Sequence, residues 1–167
     1  MDELYRDKTW QVLLESAPLP DGRERRVPRV KCADSVHLLA FPENGRIFLI
    51  REFRPYYGTY LWMLPSGHVD KEDDAAIGAQ RELREETGYR ANTLEHLWSV
   101  NHSERLIMTN HFFRATDLQK DSLPQDDDEL IELHTVSIEE ALEKIHSSPK
   151  IHLASAYGVM RWMQEHK

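Results

Sequence analysis

Runs of apolar positions at strand-like and helix-like spacing, separated by turn residues, divide this chain into a series of short elements. Thr9 to Ala17 (TWQVLLESA) and roughly Arg25 to Ala33 read as strands flanking a Leu19-Pro20-Asp21-Gly22 turn. Ser35 to Phe41 and Arg46 to Phe53 read as a stronger hairpin, joined by Pro42-Glu43-Asn44-Gly45 with its Asn-Gly turn signal. Thr59 to Leu64 leads through a Pro65-Ser66-Gly67 turn into a helix over about Asp73 to Thr87, closed by Gly88. Ala75, Ala76, Ala79 and Leu83 give that helix a small apolar side that can lie against a sheet. Gly78, which costs roughly 1 kcal/mol against alanine in a helix, points to a close approach there.

Further strands are expected at Thr93 to Val100 and Leu106 to Ala115. An acidic loop at Gln125 to Glu129 precedes an alternating strand at Leu130 to Val136. Ser137 and Glu140 form a capping-box pattern at the start of a helix over Ile138 to His146. A last helix runs near Ala154 to Glu165, carrying Tyr157, Met160 and Trp162 or Met163. Strands before and after one central helix, with helices at the end, predict an α+β domain with a mixed sheet between helices.

Composition narrows the picture. A length of 167 residues suits one domain with a sizeable core, and 30% charged with 40% hydrophobic residues is ordinary for a soluble protein. The formal net charge of −8 disfavours a general nucleic-acid or anionic-membrane surface, while leaving room for a nucleotide bound through a local metal site. Cys32 is the only cysteine, which rules out an intrachain disulfide and a zinc ribbon of CxxC pairs. The amino terminus has no apolar signal-peptide core and no segment reaches 18 apolar residues, so a cytoplasmic location is the default expectation.

The chemistry concentrates in Gly67 to Tyr89. Offsets of three and four residues bring Glu82, Glu85 and Glu86 to one side of the expected helix. Such crowding costs a few tenths of a kcal/mol per like-charged pair in an isolated helix. On its own, an acidic run of this kind is most often a solvated helix face. A hard divalent cation turns the same penalty into a binding site, because Mg²⁺ takes carboxylate oxygens and completes its shell with water and substrate phosphate. The nine histidines are scattered, with no HxxxH pair on an expected helix, and read as structural or surface groups; His68 and His102 lie closest to the acidic segment.

The segment resembles the Nudix box, GX5EX7REUXEEXGU, in which U is a bulky apolar residue. Gly67, Arg81, Glu82, Leu83, Glu85, Glu86, Gly88 and Tyr89 fall in register. The first glutamate of the pattern is Asp73 here, with Glu72 beside it, which implies a shortened brace from Asp73 to Arg81. The resemblance implies the Nudix α/β/α sandwich with an N-terminal antiparallel strand pair, over essentially the whole chain. It implies Glu82 and Glu86 as metal ligands, Glu85 as a further or bridging ligand, and the Ser66 carbonyl as a backbone ligand. The cofactor it implies is Mg²⁺, with Mn²⁺ as a substitute.

Arg51-Glu52-Phe53-Arg54-Pro55 and Leu64-Pro65-Ser66-Gly67 resemble the ADP-ribose pyrophosphatase branch. That resemblance gives Arg54 a phosphate or terminal ribose contact, with Arg51 as a weaker candidate. The segment Asp126 to Glu132 is similar to that branch's acidic loop, which implies Glu129 as general base or extra metal ligand, with Asp127 behind it. Ser103-Glu104-Arg105 is similar to a segment whose glutamate meets substrate. The Pro-Gly-Gly that precedes it in that branch is missing, and so is the proline expected past the box. Tyr56, Tyr57 or Trp62 are the aromatic candidates for stacking on a nucleobase. The expected activity is therefore hydrolysis of a nucleoside diphosphate sugar. The competing readings are a Nudix enzyme acting on nucleoside triphosphates or dinucleoside polyphosphates, and a non-catalytic nucleotide-sugar-binding regulator. The first thirty-odd residues resemble amino-terminal strands that pack across a two-fold partner, which implies a homodimer in which Glu104 or an amino-terminal residue reaches the partner's substrate.

Overall fold

Strand β4 (Ser35–Ala40) is buried at all six positions, and this fixes the layering of the molecule. Its side chains alternate between two apolar clusters. Val36, Leu38 and Ala40 meet Ala79 and Leu83 of helix α1 (Ala75–Thr87), while Leu39 packs with Ala156, Val159 and Trp162 of helix α3 (Leu153–Glu165). A strand covered on both faces is mostly hydrophobic, as central strands between helical layers are, and the polar residues of β4 are Ser35 and His37. The chain is thus an α/β/α arrangement, seen in a computed structural model that describes residues 1–43, 45–69, 74–125 and 129–166.

Three sheets carry the strands. The first joins β1 (Asp2–Arg6), β2 (Gln11–Pro18), β3 (Glu24–Lys31) and the two-residue β9 (Leu106–Ile107), in that order. The second runs β7 (Ser66–His68), β4, β10 (Thr109–Lys120), β8 (Tyr89–Asn101), with β10 parallel to β4 and antiparallel to β8. The third is β11 (Ile131–Ser137), β5 (Arg46–Arg54), β6 (Thr59–Met63), antiparallel throughout. Helix α2 (Ile138–Ser147) packs on β5, β6, β11 and α3. Its capping box is formed: Ser137 Oγ accepts from the Glu140 N–H and the Glu140 carboxylate accepts from the Ser137 N–H. Among the described residues no helix is long and apolar enough to cross a membrane.

The expected hairpin of β4 and β5 does not form. The two strands lie in different sheets, and among the described residues the link between them is closed by the isolated bridge and ion pair of Glu43 with Arg46. Gly45 does adopt the left-handed φ of 74° that the turn signal calls for, while Asn44 lies outside the described residues. Turn chemistry sets the local bend, but both strands carry nearly unbroken apolar runs, and each is satisfied by its own neighbours and helical cover. Pro65-Ser66-Gly67, expected as a turn, leads instead into strand β7, paired with β4 through His37↔Ser66 and Val36↔Gly67. The N-terminal strand pair is present as β2 and β3, extended by β1 and β9.

Candidate active site

Helix α1 starts at Asp74, whose carboxylate accepts from the Ala76 N–H, and ends at Gly88 in the left-handed region with φ 76°. Between these caps, Ala79 and Leu83 face the core. That register turns Glu82, Glu85 and Glu86 toward a cleft of about 490 Å³. Glu82 and Glu86 are only 8% and 5% exposed, and Glu85 is half-buried. Arg81 holds the group in place: Nη2 reaches Glu82 Oε1 at 2.8 Å and the His68 carbonyl at 2.9 Å, and Nη1 reaches Glu85 Oε2 at 2.7 Å. The expected brace to Arg81 from Asp73, with Glu72, lies outside the described residues.

Strand β7 forms the opposite lip. The Ser66 N–H donates to Glu86 Oε2 at 2.7 Å, so the contact the structure shows for Ser66 is through its amide. Gly67 lies directly beneath Glu82: a Cβ built on it would fall 2.1 Å from Glu82 Cδ and Oε1. Only a residue without a side chain leaves that carboxylate room.

A third wall comes from β5. Phe48 joins the α1-side core, while Ile47 and Leu49 join the other, so even-numbered residues of this strand look toward α1. Glu52 and Arg54 continue that side and line the cleft, with Arg54 Nη2 at 3.0 Å from Glu52 Oε2. Glu52, at 5% exposure, is a site residue that the sequence reading missed. Next to Arg51 and Arg54 it looks like part of a surface charge run, and the only available signal was its alternation with Phe48 and Ile50. The expected base, Glu129, also lines the cleft, half-buried; its companion Asp127 lies outside the described residues.

Burial governs the electrostatics. It pushes the Glu82 carboxyl up to about 7, with Glu85 and Glu129 adding to the effect and Arg81 opposing it. Glu86 is pushed well above the usual carboxylate range by burial and by the charge on Glu82, against the pull of the Ser66 N–H. Glu52 is raised by burial and by Glu129, with Arg54 opposing. These are hard oxygen donors, desolvated and mutually repelling, and a divalent cation would relieve both conditions. Among the described residues no three acidic, histidine or cysteine groups converge into a ready cage.

The far wall carries Ser35, His37, Asn110 and His152, with His102 and Lys150 near the mouth. Burial brings His37 down to about 4 and His152 to about 3, so both are neutral rings near pH 7. Neither was singled out by its sequence context.

Two of the expected substrate contacts do not line the cleft of their own chain. Arg51 lies on the other face of β5, paired with Glu132 at 2.9 Å and set 4.2 Å above the Tyr60 ring. Glu104 is exposed in the segment between β8 and β9, where its carbonyl accepts from Arg29 Nε, and it does not line the cleft of its own chain. Of the three aromatic candidates, Tyr57 lines the cleft, Tyr56 is fully exposed, and Trp62 packs against His134 and Lys144.

Comparison with known proteins finds relatives over most of the chain. The chain is 27% identical over 164 residues to the protein named ADP-ribose pyrophosphatase of Bacillus subtilis (strain 168), across 95% of this chain and 87% of that one. It is 25% identical over 150 residues to the methanol dehydrogenase activator of Bacillus methanolicus, across 86% and 80% of the two chains. A crystal structure of an ADP compounds hydrolase superposes with a TM-score of 0.78 over 98% of this chain and 91% of that one, at 20% identity, and shows the same fold. The family model described as NUDIX domain matches residues 32–157, which include every cleft-lining group discussed above. The chain belongs to the NUDIX domain family.

Proposed function

We propose that this protein hydrolyses the pyrophosphate bond of a nucleoside diphosphate sugar, ADP-ribose or an NDP-hexose, to a nucleoside monophosphate and a sugar phosphate. The observation that carries the reading is the seating of buried Glu82 and Glu86 against Gly67 and the Ser66 amide, with Arg81 bracing the helix face. Similarity to an ADP-ribose pyrophosphatase over nearly the full length of both chains supports the substrate class.

Glu82 and Glu86 would hold Mg²⁺, with Glu85 beside them. Bound there, the ion supplies charge neutralisation at the phosphates and a more acidic water. Arg81 keeps the Glu82 and Glu85 carboxylates in a fixed orientation. Arg54 presents its guanidinium to a phosphate across the cleft. Glu129 takes the proton from the attacking water as the water oxygen bonds to phosphorus and the bridging P–O bond breaks. A release assay with Mg²⁺ across ADP-ribose, NDP-hexoses, nucleoside triphosphates and dinucleoside polyphosphates tests the reading. AMP and ribose 5-phosphate from ADP-ribose are expected. Turnover confined to triphosphates or dinucleotides would overturn the substrate class, and binding without turnover would make the protein a regulator.

We also propose a cytoplasmic homodimer. Leu4, Tyr5 and Trp10 are exposed on or beside the first sheet, and β1 is exposed at every position, so a partner would cover both apolar area and a sheet edge. Light scattering is expected to give about twice the 19.6 kDa chain mass. A monomer that turns over at full rate would end the idea.

A further inference from the structure

We infer that Glu52 is a positioning residue that sets the orientation of Arg54 in the cleft; the inference rests on the reading of Arg54 as a phosphate contact. The two residues are two apart on β5 and therefore share the face that looks toward α1. Glu52 is buried, while Arg54 is more than a third exposed and lines the cleft. The contact between them, Nη2 to Oε2 at 3.0 Å, ties one end of a long, mobile side chain to a fixed point of the sheet. A second contact of the same Nη2, 3.5 Å from Met63 Sδ, lies on the paired strand β6. The remaining N–H groups of Arg54 have no hydrogen-bond partner among the described residues. One edge of the fork is thus anchored and the rest is available to an anion.

The chemistry explains why the anchor is a carboxylate. A neutral side chain would offer Arg54 no ion pair and would let the guanidinium swing toward Glu129, whose charge reaches both Glu52 and Glu86. Holding the cation at β5 keeps it out of the metal ligands' way and opposite the phosphate it is to meet. A rotamer-rich arginine fixed before the ligand arrives loses less entropy on binding.

The test is a double-mutant cycle with two probes, ADP-ribose turnover in Mg²⁺ and calorimetric binding of inorganic pyrophosphate in Ca²⁺. Glu52→Gln is expected to raise KM and weaken pyrophosphate binding about tenfold, with kcat changed less than about threefold, as suits loss of one charge-assisted contact. In an Arg54→Gln background, adding Glu52→Gln is expected to change either quantity by less than about twofold, because its effect passes through Arg54. Mn²⁺ affinity, read by electron paramagnetic resonance, is expected to stay within about twofold of wild type. A full Glu52→Gln effect without Arg54, or a tenfold loss of Mn²⁺ affinity, would overturn the inference and make Glu52 a cation ligand. If Glu52→Gln does not fold, Arg54→Lys keeps the charge but loses the fork, and a wild-type KM and pyrophosphate affinity in that variant overturn the inference equally. A wild-type protein that leaves ADP-ribose intact but shows the pyrophosphate cycle would sink the substrate proposal alone. One that binds no pyrophosphate would sink this one.

Discussion

At the scale of single residues, the space above Gly67 decides the most. A methyl group there would collide with the Glu82 carboxylate, the far end of a flexible side chain, so the collision can be relieved by moving Glu82. Gly67→Ala is therefore expected to fold with nearly unchanged stability and to lose about a hundredfold in kcat, read by melting curves beside steady-state kinetics. Glu86→Gln separates charge from shape. A glutamine oxygen can still accept from the Ser66 N–H, and it replaces an acid whose ionisation burial and the charge on Glu82 oppose. We expect kcat to fall by a factor of about 10² to 10³, with metal-free stability unchanged or improved. A variant that keeps Mg²⁺-dependent turnover would refute the metal assignment. The helix carboxylates were legible in the sequence because their spacing is local. Glu52 and His37 were not, because a strand residue becomes a site residue only through the sheet face it lands on.

Among the elements, the helices were read well and the strand pairings less so. Caps and apolar periodicity are written within a few residues, whereas pairing is decided by partners far along the chain. The separation of β4 from β5 is the clearest case. The two helical glycines make the same point. Among the described residues the close approach expected at Gly78 is absent: an added Cβ would meet Val69 Cγ2 at 3.5 Å, an ordinary contact. The tight place is Gly158 on α3, where a Cβ would lie 2.7 Å from Cε1 of the fully buried Phe112. Urea denaturation should therefore show Gly158→Ala destabilised by about 1 to 3 kcal/mol. Gly78→Ala should be neutral or stabilised by up to about 1 kcal/mol. Equal effects at the two sites would contradict this packing.

The molecule as a whole carries a pH dependence that its buried rings set. Burial, helped by His68, His111 and His102, lowers His37 to about 4, against the hydrogen bond with Asn110. The unfolded chain binds that proton near 6.5, so between about 6.5 and 4 it holds more protons than the folded one, and stability falls as pH falls. Relative to His37→Gln, which cannot titrate, wild type is expected to lose about 2 kcal/mol between pH 7 and pH 4.5. Taking the difference cancels the opposite trend from the raised carboxyls of Glu82 and Glu86. Parallel stability curves for the two proteins would show that His37 is charged in the folded state.

The parting of β4 from β5 also has a geometric result. Ser66, Gly67, His37 and Asn110 belong to the second sheet, and Glu52, Arg54 and Leu61 to the third, yet all of them border one cleft. Had the two strands zipped together behind their tight link, that opening would have been stitched shut. The chemistry instead occupies a seam between two sheets, held together beside it by the two-residue link Leu64-Pro65, whose Pro65 carbonyl accepts from the Leu38 N–H at 2.9 Å. The site is thereby lined from two sheets at once, and neither sheet alone supplies both the Ser66 amide and the Arg54 guanidinium.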